Sequence, residues 1–452
     1  MSNTKNEPVI LRDLGGGLVL RRSTPADAEA LSEFNAQVHS DDGPDQPDEK
    51  VAAWTFDLLT RPHPTFDPAD FTIVEDSSSG KIVSSLNLIS QVWSIAGIEF
   101  KVGRPELVGT LPEYRNRGLV RAQFDVVHQW SAERGEMVQA ITGIPYYYRL
   151  FGYEMALNLG GGRLGYLPLV PKLKEGEQER YHFRPAGLGD LELISRLYKL
   201  GCQRSLVSCV WGEAEWLYEL NGKSENNVNR VELRVIENAA GEAVGFLAHP
   251  FFNWSNGATI IVPLYELKPG TSWAAVTPSV IRYLQVIGEE RATRMGKDPW
   301  NAFGFWLGEQ HPVYAVLHDR LPRVRRPYAW YLRIPDLPGF LRRIAPLLED
   351  RLSGSPYAGH SGELKITFYQ DGLKLVFEHG QLKEIDRWQP TPVGHAGDAA
   401  LPGLTFLQLV FGYRTFAELD EIYADVWADN DDAYGLLSSL FPRQVSDVWP
   451  VA

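Results

Sequence analysis

Hydrophobic and polar positions divide this chain into three stretches. In the first, Arg22-Ser-Thr-Pro-Ala-Asp27 is a turn that leads into Ala28 to Phe34, where apolar residues recur at helical spacing. A loop rich in Pro and Asp follows at 43–47. Phe71-Thr-Ile-Val-Glu and Ile82-Val-Ser-Ser-Leu-Asn-Leu-Ile flank the turn Asp76-Ser-Ser-Ser-Gly80, which predicts a hairpin with a longer loop. Leu107-Val-Gly-Thr-Leu111 reads as a short strand. After an Arg- and Gly-containing turn at 115–118, Leu119 to Ala132 reads as an amphipathic helix.

The second stretch repeats landmarks of the first. Leu20-Arg-Arg-Ser-Thr-Pro-Ala-Asp27 matches Phe183-Arg-Pro-Ala-Gly-Leu-Gly-Asp190, and Val74-Glu-Asp-Ser-Ser-Ser-Gly80 matches Ile236-Glu-Asn-Ala-Ala-Gly241 at nearly the same offset. Two matches at nearly the same offset indicate a duplicated domain. The second copy runs from about Tyr181 to Pro327, behind a charged linker from Lys172 to Arg180. From about Trp330 the character changes. Trp330-Tyr-Leu-Arg-Ile-Pro-Asp-Leu-Pro-Gly-Phe-Leu introduces a helix, which a Gly/Ser-rich turn at 353–362 ends. Leu364-Lys-Ile-Thr-Phe-Tyr and Leu373-Lys-Leu-Val-Phe-Glu alternate around Gln370-Asp-Gly372 as a β-hairpin, and helical patterns run from Leu404 onward. Three domains follow, at 1–165, 180–328 and 329–452, and the last is α+β.

At 452 residues the chain exceeds what one core normally serves. Its net charge of −13 disfavours nucleic acid and anionic membranes as partners. No stretch approaches the ~18 uninterrupted apolar residues of a membrane helix, and the polar opening Met1 to Pro8 lacks a secretory apolar run. The two cysteines, Cys202 and Cys209, lack metal-ligand spacing and are too few for a disulfide framework. A cytoplasmic protein without a metal is expected.

The chemistry concentrates in Leu107-Val-Gly-Thr-Leu-Pro-Glu-Tyr-Arg-Asn-Arg-Gly-Leu-Val-Arg121. A strand ends, an Arg-x-x-Gly turn follows and a helix begins. The helix start offers unpaired N–H groups and partial positive charge to a diphosphate. Gly118 lets the backbone approach it, and Arg115 and Arg117 add charge-assisted hydrogen bonds. An ordinary basic turn has the same look in isolation. Some thirty residues later comes Pro145-Tyr-Tyr-Tyr-Arg-Leu-Phe-Gly-Tyr153. With these two motifs in this order, the first third of the chain resembles the GCN5-related N-acetyltransferase superfamily. The resemblance implies acetyl-CoA as co-substrate. It gives the pantetheine arm to the backbone of Val108 and Thr110, and the pyrophosphate to Arg115, Asn116, Arg117, Gly118, Leu119 and Val120. Gly143 joins the coenzyme contacts, and Tyr148 becomes the acid that protonates the departing thiolate. Tyr146 and Tyr147 are left to aromatic packing. Val120 stands where many members carry Gly or Ala.

The whole layout is similar to the enhanced-intracellular-survival (Eis-like) acetyltransferases. It implies an α+β protein with two tandem acetyltransferase-like mixed-sheet domains, the second degenerate, and a sterol-carrier-like C-terminal domain. In the second copy Val276-Thr-Pro-Ser279 replaces the Arg-x-x-Gly turn and His311 replaces Tyr148, so that copy reads as structural and His311 as a packing or surface residue. The resemblance further implies a homo-oligomer, a hexamer in relatives, and a base supplied by the carboxylate of Ala452; Glu106 is the alternative. Trp54 and Leu107 are implied pocket walls, although Trp54 suits a core helix equally. Asp41, Asp42, Asp45 and Asp48 attract a polycationic amine or form a solvated acidic loop. The expected function is acetyl transfer to an aminoglycoside, polyamine or lysine-type amine in a ternary complex. The rival reading is a small-molecule or lipid carrier with a coenzyme-sensing first domain.

Overall fold

The computed structural model describes residues 8–254, 257–296, 299–390 and 397–452. The first stretch folds as β1 (Ile10–Gly15), β2 (Leu18–Arg22), α1 (Ala28–Val38), α2 (Glu49–Thr60), β3 (Phe71–Asp76), β4 (Lys81–Ile95), β5 (Ile98–Thr110), α3 (Leu119–Glu133), β6 (Val138–Ile141), β7 (Glu154–Leu159) and β8 (Gly162–Tyr166). Strands β1 to β5 form an antiparallel meander. Successive strand residues point to opposite faces, and two serines show which helix covers which face. Ser84 bonds Gln123 of α3, whereas Ser85 bonds Asn35 of α1. The sheet is therefore sandwiched. The expected short strand at 107–111 is the end of the 13-residue β5, whose earlier part pairs with β4 through a tight turn at Ala96 and Gly97.

The second stretch comprises β9 (Tyr181–Pro185), α4 (Leu191–Cys202), β10 (Val207–Cys209), α5 (Glu213–Leu217), β11 (Val231–Asn238), β12 (Ala243–Pro250), β13 (Thr259–Val262), β14 (Leu264–Leu267), α6 (Trp273–Met295), β15 (Ala302–Phe305), α7 (Pro312–Val316) and β16 (Arg323–Arg325). The repeat seen in the sequence is an ion-pair clamp in space. Arg21 binds Asp27 through both terminal nitrogens and Glu75 through Nε, and Arg184 binds Asp190 and Glu237 in the same pattern.

The third stretch holds β17 (Tyr328–Arg333), α8 (Leu337–Arg343), α9 (Ala345–Ser353), β18 (Gly362–Thr367), β19 (Gly372–Glu378), β20 (Gln381–Trp388), β21 (Ala399–Ala400), α10 (Phe406–Val410), α11 (Phe416–Ile422), β22 (Trp427–Ala428) and α12 (Asp431–Leu440). Its own sheet runs β20-β19-β18-β21-β22. The Trp330 segment, expected to introduce a helix, is strand β17, and helix α8 begins only after Asp336 caps it. β17 inserts between β6 and β7 of the first sheet, while β8 leaves that sheet to pair with β15 and β16. A division of the chain at 165 and 328 therefore does not coincide with a division of its sheets. β6 and β7 do not pair with each other, and β17 supplies the hydrogen-bonding partner between them.

Candidate active site

Two features of β5 create the site. It pairs in parallel with β6 only at Val102–Val138 and Gly103–Gln139. Beyond Gly103 the strands part, and that edge of β5 has no strand partner among the described residues. At Leu107 the register with β4 shifts from Ser85↔Gly109 to Asn87↔Glu106, and Leu107 adopts φ 51°. A bulge with a left-handed leucine costs on the order of 1–3 kcal/mol and re-aims the strand. The N–H of Leu111 still donates to Val83 of β4 at 3.0 Å. By alternation the peptide groups of Val108 and Thr110 turn away from β4 and into the gap.

The strand then runs into the start of α3. Gly118 is the residue before the helix, left-handed at φ 75°, with no side-chain cap on the helix and no acid in its first turn. A Cβ at Gly118 would meet nothing within 4 Å. Arg115, Asn116 and Arg117 are exposed around it, and Asn116 also lies at positive φ. Arg115 Nε donates to the Thr110 carbonyl at 3.3 Å and Arg117 to that of Glu113 at 3.1 Å. These elements wall a cleft of about 520 Å³, lined by Val108, Thr110, Arg115, Asn116, Gly118, Leu119 and Val120 among others. Uncapped amides, Arg115 and Arg121 on the cleft wall, and space at Gly118 suit a diphosphate.

Across the gap, residues 143–153 carry the tyrosines. Gly143 has φ 119°, and its Cβ would stand 3.6 Å from the Tyr148 hydroxyl. The Gly143 carbonyl accepts from Tyr328, and the Tyr146 N–H donates to Tyr331 Oη at 3.1 Å, so β17 holds this loop in place. Tyr148 is buried against Phe124, Tyr147, Tyr153 and Tyr331. Burial, reinforced by the charge of Glu106, pushes its phenol well above the ordinary tyrosine range.

The tail after α12 is extended and packed. It runs along the second copy, where Trp449 stacks on Trp211 at 4.2 Å and accepts from its Nε1 at 3.0 Å. It ends inside the first copy. Val451 and Ala452 are 2% and 5% exposed, and Ala452 belongs to the same core as Trp54, Leu107 and Tyr148. The Val451 carbonyl accepts from Gln91 at 2.7 Å and from Arg104 at 2.9 Å. Glu106, the alternative base, is ion-paired with Arg104 at 2.7 Å.

The sequence-predicted residues thus fall into three groups. Val108, Thr110, Arg115, Asn116, Gly118, Leu119 and Val120 converge on the cleft, Arg117 and Gly143 do not line it, and Tyr148, Leu107 and Ala452 lie in the buried core. Trp54 and Leu107, the two implied pocket walls, are both buried and neither lines this cleft; Trp54 sits in α2. Asp48 is a helix cap, accepting from Lys50 and Val51 N–H, so only Asp41, Asp42 and Asp45 form an exposed acidic loop. Tyr147, expected to pack, lines the cleft with His39, Ile144, Leu150 and Phe151. Pattern alone did not single these out, because the left-handed Tyr146 at φ 68° decides which ring of the Tyr triplet faces outward. His311, by contrast, is buried and uses both ring nitrogens, one toward Val313 N–H and one toward the Tyr265 carbonyl.

Residues 20–156 match the family model of the acetyltransferase (GNAT) domain. The first domain is a GNAT acetyltransferase domain. N-acetyl transfer is accordingly the reaction class of this enzyme, and acetyl-CoA is the co-substrate that the GNAT family uses. The fold of nearly the whole chain is shared with solved structures of low sequence identity. A conserved protein from Enterococcus faecalis V583 gives a TM-score of 0.61 at 15% identity, covering 95% of this chain and 97% of that one. A GCN5-related N-acetyltransferase from Kribbella flavida gives 0.60 at 18%, covering 95% and 97%. Eis1 from Mycobacterium abscessus gives 0.54 at 14%, covering 95% and 98%. No curated protein sequence matches the chain. Among the described residues no helix is long and apolar enough to cross a membrane, and no group of three or more His, Cys, Asp or Glu is arranged to hold a metal ion.

Proposed function

We propose that the GNAT domain transfers acetyl from acetyl-CoA directly to an amine in a ternary complex. The start of α3, with Arg115, Asn116, Arg117, Gly118, Leu119 and Val120, binds the diphosphate. The open edge of β5 at Val108 and Thr110 binds the pantetheine arm, and Gly143 leaves room beside Tyr148. The co-substrate supplies the acetyl group activated as a thioester. The carboxylate of Ala452 takes a proton from the acceptor ammonium, freeing the nitrogen lone pair. As the nitrogen–carbon bond forms, the carbon–sulfur bond breaks, and Tyr148 donates its hydrogen to the sulfur. The proton shed by the new amide nitrogen restores the phenol. A raised pKa keeps Tyr148 protonated at neutral pH, so it serves the sulfur first as a hydrogen-bond donor.

The observation that carries this reading is the presence of the buried chain end and Tyr148 in one core, behind an uncapped helix start. Asp41, Asp42 and Asp45 follow on His39 of the cleft wall and favour a polycationic acceptor. A carrier with a coenzyme-sensing domain gives Tyr148 and the buried tail no task. Thiol release from acetyl-CoA with a panel of polyamines, aminoglycosides and lysine peptides tests the activity; silence across the panel favours the carrier. Residues appended after Ala452 are expected to abolish turnover while calorimetry still detects coenzyme binding. Full activity of the extended chain removes the carboxylate as base.

A further inference from the structure

We infer that Arg104 and Gln91 are positioning residues that seat residue 452 for acetyl transfer; this rests on the reading of its carboxylate as the base. Both lie on the face of the sheet that α1 covers, since Gln91 stands three strand alternations beyond Ser85 on β4 and Arg104 lies opposite Ile89. Both are buried, at 3% and 6% exposure. Their donors meet on one oxygen, the carbonyl of Val451, which is the peptide immediately before the terminal residue.

The amide of Gln91 has a defined orientation. Its Oε1 accepts from Trp93 Nε1 at 3.0 Å and from Cys209 Sγ at 3.7 Å, so the NH2 group is the side left for Val451. Arg104 divides its fork. One terminal nitrogen holds the Val451 carbonyl and the other pairs with Glu106. One guanidinium therefore draws the tail in while occupying the only rival carboxylate the sequence offered for the base. Such a two-donor clamp on a single carbonyl has little slack, and an acid–base step across the thioester requires sub-ångström placement. The stacked Trp211–Trp449 pair anchors the tail upstream, and the clamp fixes the peptide next to its last residue.

Gln91→Glu tests this with an isosteric change. It keeps the acceptor toward Trp93 and turns the donor into a carboxylate oxygen facing the Val451 carbonyl. The expected result is kcat lower by about ten- to a hundredfold, with KM for acetyl-CoA changed by under about twofold. The folded variant should also release Ala452 and Val451 to carboxypeptidase, while the parent protein resists. Arg104→Lys, which keeps the charge against Glu106 but gives up the fork, should show the same split to a smaller degree. A tail that stays resistant in both variants, or undiminished kcat with a released tail, overturns the clamp. Deletion of Ala452 separates the two ideas. If the deletion keeps full activity, the carboxylate reading fails. If it loses activity while Gln91→Glu and Arg104→Lys retain theirs, the clamp alone fails.

Discussion

Arg21 with Asp27 and Glu75, and Arg184 with Asp190 and Glu237, are the same clamp built twice, yet the helices that follow the two copies start differently. α3 begins at a left-handed glycine with no side-chain cap. α6 begins at Ser272, whose side chain accepts from Ala275 N–H, and Trp273 packs edge-on against Tyr265 and His311 at 4.9 Å each. The linker closes that end further, with Glu179 bound to Ser279 and Arg282. The strand before the helix differs too. β5 runs continuously past its bulge, whereas Pro263 separates β13 from β14, which pair in different sheets. A serine cap stabilises a helix by about 1 kcal/mol. The second copy has that stabilisation and fills the seat with aromatic side chains; the first forgoes it and keeps the amides open. The framework recurs in both copies and the uncapped helix start in one.

The sharpest way to break this contrast is at the two aligned side chains. Tyr148→Phe removes the hydroxyl but keeps the ring that packs on Phe124 and Tyr153. We expect kcat to fall by about a hundredfold or more, with acetyl-CoA affinity nearly unchanged in calorimetry; unchanged kcat ends its role at the sulfur. Gly118→Asp should set a carboxylate where the diphosphate is proposed to bind, at a left-handed position that a side chain also strains. Affinity for coenzyme A should drop by about a hundredfold, and the parent protein should bind one coenzyme per chain. Two per chain would mean that the second copy retains a seat.

What the sequence revealed follows from how local each feature is. The strand, Arg-x-x-Gly turn and helix are contiguous in the chain, so the strand leading into an open helix start at 107–121 was legible before any fold was known. The duplicated clamp was legible because Arg, Asp and the Gly turn keep their spacing. The destination of the tail was not: its bonds to Gln91 and Arg104 span 360 and 347 residues. Nor was β17, since the apolar run at Trp330 carries no sign that its partners are β6 and β7. Trp54 was ambiguous for a similar reason. Its helical spacing is real, and only tertiary packing decides that the ring turns into the core.

His311→Ala sharpens the comparison from the other side. In the second copy this residue caps α7 and bonds the Tyr265 carbonyl, and burial pushes its imidazole pKa down, so it acts as a neutral connector. Its loss strands two buried groups and should lower unfolding free energy by about 2 kcal/mol, with kcat/KM of the refolded enzyme unchanged. A fall in kcat with unaltered stability would give the second copy a part in catalysis.

Asp447 marks where the tail crosses the second copy, beside Gly308, Arg204 and Glu266. Burial, helped by Glu266 and opposed by Arg204, lifts its carboxyl from 3.8 to about 7. Between those two values the folded protein holds a proton that the unfolded chain has released, so this group makes stability fall as pH rises through the window. Asp447→Asn keeps the shape and removes the titration. The variant should match the parent near pH 4 and exceed it by about 4 kcal/mol at pH 8 in denaturant unfolding. A gap that stays constant from pH 4 to pH 8 would show that the tail crosses the second copy in a wetter setting than the first copy gives Val451, and would confine the dry, rigid part of the tail to the active domain.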